Sequence, residues 1–155
     1  MDIPDAVRVA LGRPVVEGEP AQAFLLLTSD SDGYPHIALL SSRQLTLARA
    51  AGRLRAVVWG SGTSQNLARS RRCTVLVVAQ DHAYSLSVEI ERQVRDGSRL
   101  AFEGVVRHVK DDTAGVPLHP LAFDVAGSLA REERWDLDDA LLAALDETAP
   151  GPPGS

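Results

Sequence analysis

The segment RLRAVVWGSGTSQNLARSRRCTVLVV, residues 53–78, contains a turn rich in glycine and serine between two apolar runs. The first run, RLRAVVW, and the last, TVLVVAQ, are short and rich in β-branched residues, which is typical of strands. TVLVVAQ is continuously apolar and predicts a central strand covered on both faces. Between them, SQNLARSRR predicts a short helix with Thr63 or Ser64 as its N-cap. The free amides at such a helix start are suited to bind an anion such as phosphate, and the alternative is a capped connection with no ligand.

The flanking segments predict further strands. A hairpin is predicted for AFLLLTS, the turn DSDGYP and HIALLSS, and its second strand starts just past Pro35. AYSLSVEIERQV alternates apolar and polar residues, and it is predicted to pair with RLAFEGVVRHV across the turn RDGS. Residues 4–12 predict a short amphipathic helix. Near the C-terminus, Asp136 predicts the N-cap of a helix with an apolar stripe: Leu137, Leu141, Leu142 and Leu145.

The order of these elements indicates the fold class. About six strands follow one another with short turns, and one helix lies between strands three and four, which predicts a mainly β, six-stranded antiparallel barrel with short flanking helices. A doubly wound parallel sheet would need a helix between most strands. We predict one domain over residues 1–148, with its core over about 20–112 and C-terminal helices over about 120–147. Residues 149–155 are rich in proline and glycine and are predicted to be disordered.

Composition narrows the class of function. The chain has 155 residues and a net charge of −5, which argues against binding nucleic acid through phosphate neutralisation. Its single cysteine, Cys73, excludes an internal disulfide and fits a reducing compartment. No apolar run approaches the roughly 18 residues of a membrane span, and the N-terminus has no apolar core of signal-peptide length. We therefore expect a cytoplasmic protein with no membrane contact.

The common catalytic and binding motifs are absent from the sequence. The run GSG at 60–62 lacks the third glycine of a dinucleotide motif, because Gln65 stands there, and no P-loop lysine follows. The four histidines have no metal-ligand spacing, and there is no GxSxG elbow around a serine. Cys73 opens an apolar strand and is expected to be a buried structural thiol. The sequence therefore assigns no metal site and no catalytic residue.

Three pieces of the sequence resemble the FMN-binding split-barrel proteins related to pyridoxamine 5′-phosphate oxidase. They are the hairpin LLLTSDSDGYPHIALLSS, the segment RLRAVVWGSGTSQNLARSRRCTVLVV, and the pair AYSLSVEIERQV and RLAFEGVVRHV. Together they cover roughly residues 20–112. The resemblance implies a six-stranded split barrel that works as a homodimer, with one FMN per subunit held at the dimer interface.

The resemblance also implies which positions contact the flavin and its phosphate. On the second strand they are His36, Ile37, Ala38, Leu39, Leu40 and Ser41. Around the phosphate they are Ser61, Gly62, Thr63, Ser64, Gln65 and Asn66, while Trp59 would pack near the ring.

The chain departs from this pattern at three positions. Members of the resembled family that hold FMN tightly usually carry Arg and Lys where this chain has Gly62 and Thr63, and a basic residue where it has Ser41. Each lost charge-assisted hydrogen bond to phosphate weakens binding by roughly 1.5–3 kcal/mol. Two functions stay open. One is a flavin-dependent oxidoreductase that uses FMN to move a hydride. The other is a non-catalytic dimer that binds flavin or a small anion and has lost tight FMN binding.

Overall fold

A computed structural model describes residues 2–113 and 115–151 of the chain. Four helices and nine strands make up the described part. In chain order they are α1 (Asp5–Leu11), β1 (Pro20–Gln22), β2 (Phe24–Ser29), β3 (Pro35–Leu40), β4 (Leu45–Leu47), β5 (Arg53–Trp59), α2 (Ser61–Ser70), β6 (Arg72–Ala79), β7 (His82–Asp96), β8 (Arg99–Asp112), β9 (Ala122–Asp124), α3 (Leu129–Glu132) and α4 (Trp135–Ala144), followed by a 3-10 turn over Leu145–Glu147. None of the helices in these ranges is long and apolar enough to cross a membrane.

The main sheet is antiparallel and curls into a half-barrel with short helices around it. Its strand order is β3-β2-β6-β7-β8-β5-β4, and β1 pairs with β9 in a separate two-stranded sheet. The predicted mainly β class and antiparallel barrel are confirmed. The predicted count of six strands is wrong by one, because β4 adds a seventh strand to the main sheet. Since β4 has only three residues, it is too short for an alternating pattern to reveal it.

The core lies inside the curl of the sheet, where alternate residues of each strand point inward. Phe24, Leu26 and Phe102 are fully buried there, and Val7 of α1 packs against them. The helix predicted over residues 4–12 is confirmed as α1. A smaller apolar cluster forms where the last elements reach the barrel, and its buried members are Val57, Ala101, Leu141 and Leu145. The C-terminal segment is thereby fixed against β5 and β8.

Both predicted helix caps are wrong. The second helix, α2, begins at Ser61, two residues before Thr63, because Gly60 at φ 115° turns the chain directly from β5 into the helix. A φ of this value strongly favours glycine, which has no Cβ to clash. In the C-terminal region α4 begins at Trp135, and Arg134 in a left-handed conformation occupies the cap position. Asp136 lies inside the first turn, where it forms an ion pair with Arg134 at 3.1 Å.

The strand β6 is central, as predicted, but only one of its faces is fully buried. Cys73, Val75 and Val77 point into the core, whereas Leu76 and Val78 on the other face are only half-buried. This second face belongs to the convex side of the sheet, which we call the outer face.

At the C-terminus, the amide of Gly151 donates a hydrogen bond to the carbonyl of Glu91 at 2.6 Å. Residues 152–155 lie outside the described residues. Disorder over 149–155 therefore stays a prediction.

Candidate functional site

A groove of about 370 Å³ lies between β3, the end of β5 and the start of α2. We call it the β3–α2 groove. Many of the positions expected to contact a ligand line it: His36, Ile37, Ala38, Leu39, Leu40, Trp59, Gly62 and Thr63. Segments about twenty residues apart in the sequence thus meet at one concave surface.

Strand β3 forms the apolar wall of this groove. It is an edge strand of the main sheet. Ile37 and Leu39 are 55% and 57% exposed, and His36 and Ala38 on the other face are half-buried. Large apolar side chains with this exposure are suited to contact a flat aromatic ligand or another protein chain.

The imidazole of His36 lies directly against Gly62 at the start of α2. A Cβ built at residue 62 would be 3.2 Å from Cε1 of His36, which is tighter than ordinary contact. Nδ1 of His36 is 3.8 Å from Oδ1 of Asp30. His36 therefore occupies the space into which a side chain at residue 62 would project, and it places an imidazole ring beside the helix start.

Two of the expected phosphate-contact residues use their polar groups to hold the fold. Ser64 is fully buried, and its hydroxyl donates to the carbonyl of Ser98 at 2.7 Å. The amide of Asn66 donates to Thr28 Oγ1 at 3.1 Å and to Asp30 Oδ1 at 2.8 Å. Both residues anchor α2 to neighbouring loops and strands. Neither lines the β3–α2 groove.

The other expected residues outside the groove lining differ in exposure. Ser61 and Gln65 are exposed at the start of α2. Ser41 is buried; its amide donates to Gln44 Oε1 at 3.0 Å, and its hydroxyl accepts from the amide of Arg43 at 3.2 Å. Ser41 therefore ends β3 by closing a turn with its own neighbours.

The groove also contains residues that sequence reasoning missed: Gln44, Val58, Gly60 and Glu133. Glu133 comes from the C-terminal segment, just before α4. Its carboxylate accepts a hydrogen bond from the indole of Trp135 at 2.9 Å, and its backbone carbonyl accepts one from Arg99 at 3.0 Å. No local pattern marks Glu133, because its position depends on how the last helices pack on the barrel.

A chain of contacts links the groove to a buried carboxylate. The guanidinium of Arg99 lies 5.6 Å from the ring centre of Trp59, which lines the groove. Nε of Arg99 is 3.7 Å from Oδ1 of Asp138 in α4. Asp138 is 2% exposed, and within the described part of the chain neither of its carboxylate oxygens has a hydrogen-bond partner. Burial raises the pKa of Asp138 to about 6, and the charge of Arg99 opposes the shift.

The charge of the groove is unusual for a phosphate site. Among the described residues that line it, none is Lys or Arg, and Glu133 is acidic. Its donors include backbone amides. The first helical hydrogen bond of α2 runs from the amide of Ser64 to the carbonyl of Gly60, so the amides of Ser61, Gly62 and Thr63 have no acceptor inside the helix. These amides and the helix dipole favour an anion.

The described residues support neither a metal site nor a reactive thiol. No group of three or more His, Cys, Asp or Glu side chains within residues 2–113 and 115–151 is placed to hold a metal ion. Cys73 is buried in β6, and burial raises the pKa of its thiol to about 12. A thiol with so high a pKa is a poor nucleophile at neutral pH, so Cys73 acts as a small core residue, as predicted.

Comparison with solved structures identifies the fold. The flavin reductase of styrene monooxygenase from Pseudomonas putida superposes with a TM-score of 0.52 at 14% identity, over 75% of this chain and 89% of that one. The chain shares its fold with this protein. An NADH:FAD oxidoreductase from Streptomyces globisporus gives 0.51 at 14% identity, over 76% and 86% of the two chains. HupZ from Group A Streptococcus gives 0.55 at 14% identity, over 76% and 99%.

These likenesses confirm, at the level of the fold, the resemblance to the split-barrel flavoproteins related to pyridoxamine 5′-phosphate oxidase. Identities of this size support the architecture alone. No protein-family model and no curated sequence matches the chain.

Proposed function

We propose that the protein binds FMN in the β3–α2 groove and works as a flavin-dependent oxidoreductase. One observation carries the proposal: the groove brings together the strand, the tryptophan and the helix start at which a flavin is expected on this fold. Trp59 and the apolar side chains of β3 offer surface for the ring system. A bound flavin would supply the hydride chemistry, and the protein would supply position and electrostatics.

The flavin phosphate would rest on the start of α2. The free amides of Ser61, Gly62 and Thr63 donate there, and His36 lies close enough to Gly62 to add a ring N–H. With no Lys or Arg among the described lining residues and with Glu133 nearby, the attraction for a phosphate dianion is small. We therefore propose weak, exchangeable flavin binding. This fits a protein that uses flavin as a substrate as well as one that keeps it as a cofactor.

We also propose that the active form is a homodimer that pairs through the outer face. In strand register, Leu39 of β3, Leu25 of β2 and Leu76 of β6 form one apolar row, and Ile37 and Leu27 start the next. These side chains are half-buried or exposed in one chain. Because Ile37 and Leu39 also line the β3–α2 groove, a partner on this face would wall the groove and shield a bound ring from water.

A titration with two flavins tests the proposal. The chain has two tryptophans, so Trp135→Phe leaves Trp59 as the fluorescent reporter in the groove. We expect FMN to quench Trp59 with a dissociation constant in the micromolar range or weaker. FAD, added in parallel, decides which flavin fits. Trp59→Ala, assayed by flavin fluorescence, should weaken binding by roughly tenfold, or about 1.4 kcal/mol. Absence of binding by both flavins at millimolar concentration would refute the proposal.

A second candidate function is a non-catalytic dimer that binds flavin or a small anion. The absence of Lys and Arg from the described groove lining favours it. Oxidation of NADH or NADPH in the presence of FMN, followed by absorbance, separates the two candidates. Turnover that depends on added FMN supports the oxidoreductase. Binding without turnover with either nicotinamide supports the carrier.

A further inference from the structure

A second and larger groove, of about 560 Å³, lies on the outer face at the far end of α2 from the β3–α2 groove. We call it the arginine groove. It crosses β2, β6, β7 and β8, and the register of these strands aligns Leu27, Thr74, Ser87 and His108 in one row. Ser70, at the end of α2, borders it. Because α2 has ten residues, the two grooves are separated by about 15 Å of helix.

A bulge in the sheet aims two neighbouring side chains into the arginine groove. Across β7 and β8, Ser87 pairs with His108 and Val88 pairs with Val106, so Arg107 is the extra residue. In a regular strand, residues 107 and 108 would point to opposite faces. Here both are exposed, and both line the groove. Bulges commonly re-aim a side chain in this way beside functional sites.

The positive charge of the arginine groove is incompletely neutralised. Within the described part of the chain, the guanidinium of Arg72 has no hydrogen-bond or ion-pair partner, and it is exposed. Among the described residues, Arg107 is paired only with Glu89, at 3.5 Å, a separation longer than a direct hydrogen bond. The hydroxyls of Thr74 and Ser87 line the same groove and add neutral donors.

We propose that the arginine groove binds an organic phosphate monoester. Guanidinium groups match the oxygens of a phosphate in pairs, and Arg72, Arg107 and the hydroxyls supply donors from several sides. The groove is far larger than a phosphate ion, and Leu27 and Val88 give part of its wall an apolar character. A compact organic body therefore fits beside the anion. The proposal concerns a site separate from the β3–α2 groove and stands whether or not that groove binds flavin. Leu27 borders both the arginine groove and the apolar rows proposed for the dimer, so the arginine groove lies at the edge of that interface.

Calorimetry with three probes tests this site on the intact chain: phenyl phosphate, inorganic phosphate and phenol. We expect phenyl phosphate to bind most tightly, inorganic phosphate less tightly and phenol not measurably, and added salt should weaken both anions. Arg72→Gln and Arg107→Gln should each lower the affinity for phenyl phosphate by roughly tenfold or more. Arg95→Gln is the matched control, because Arg95 is an exposed arginine of β7 outside the groove. This variant should bind phenyl phosphate with the same affinity as the parent.

A gain of affinity gives a test that misfolding cannot imitate. Glu89→Gln removes the carboxylate that faces Arg107, so phenyl phosphate should bind several-fold more tightly. FMN quenching of Trp59 should not change in this variant or in Arg72→Gln, which separates this site from the proposed flavin site. The proposal is overturned if phenyl phosphate gives no heat at millimolar concentration. It is also overturned if Glu89→Gln leaves the affinity unchanged, or if Arg95→Gln lowers it as much as Arg107→Gln does.

Discussion

At the scale of single residues, Asp138 couples the stability of the protein to pH. Burial raises the pKa of its carboxyl from an unfolded value near 3.8 to about 6. The folded state therefore binds the Asp138 proton more tightly than the unfolded state does. Stability from this group is present at low pH and is lost as pH rises between these two values. Ionised Asp138 costs at most roughly 3 kcal/mol at neutral pH, and its ion pair with Arg99 is included in that figure.

We expect Asp138→Asn to remove this loss. The variant should melt at a higher temperature than the parent at about pH 8, and the difference should shrink towards about pH 4, where the parent carboxyl is protonated. Melting curves followed by circular dichroism across this range measure the effect. Parallel curves for parent and variant would mean that Asp138 keeps an ordinary pKa and that solvent reaches it.

Substitutions of two serines at the start of α2 should affect stability and flavin binding separately. Ser64 is buried and donates to the carbonyl of Ser98, whereas Ser61 is exposed at the helix start. Ser64→Ala should cost about 1 kcal/mol of unfolding free energy and leave FMN affinity unchanged. Ser61→Ala should leave stability unchanged and weaken FMN binding. Thermal melts and Trp59 quenching on both variants measure this. The opposite pattern would place the phosphate deeper in the helix than we propose.

At the scale of elements, the pairing of β7 and β8 depends on a glycine. A Cβ at residue 104 would lie 2.5 Å from Cγ1 of Val88 and 2.9 Å from the carbonyl oxygen of Glu89. Gly104→Ala should therefore destabilise the protein by about 1–3 kcal/mol. In a Val88→Ala background part of this cost should disappear, because one of the two clashes is removed while the backbone clash stays. Urea unfolding of the parent, the two single variants and the double variant measures the coupling between residues 88 and 104. Additive costs would show that the strands separate to admit the methyl group.

The strands β7 and β8 illustrate which elements of the fold can be predicted from the sequence. The long alternation of β7 fixes its two faces, because a period of two is hard to satisfy in any other structure, and the turn RDGS indicates its pairing with β8. The strands β1, β4 and β9 have three residues each and carry no period, so the sequence does not reveal them. The helix starts were misplaced because hydroxyl side chains indicated caps, whereas Gly60 and Arg134 take those positions through backbone conformation.

In the candidate site, local features are predictable from the sequence, whereas contacts between distant segments are not. The family resemblance implies that strand β3 and the start of α2 contact one ligand, and residues of both line the β3–α2 groove. The approach of His36 to Gly62, and the placement of Glu133 and Asp138 near Trp59, were not predicted. These contacts join segments far apart in the sequence, and their geometry is set by how the helices pack on the barrel.

At the scale of the whole molecule, the outer face is the surface through which we expect two copies to pair. Leu39 and Ile37 are more than half exposed on an edge strand, next to the half-buried Leu25, Leu27 and Leu76. A contiguous apolar surface of this kind is costly in water and is typical of an interface. An edge strand with free backbone groups adds a second reason to pair. We therefore expect a homodimer at micromolar concentration.

Replacing one leucine on this face tests assembly and flavin binding together. Leu39→Asp should shift sedimentation from dimer to monomer, because a charge would be buried at the interface. Val9→Asp is the matched control: Val9 is also about half exposed, at 52%, but lies on α1. Leu39 also lines the β3–α2 groove, so Leu39→Asp should weaken FMN quenching of Trp59 both directly and through loss of the partner, whereas Val9→Asp should not. A monomeric parent would contradict the dimer. A dimeric Leu39→Asp would place the interface elsewhere and leave the groove open to solvent.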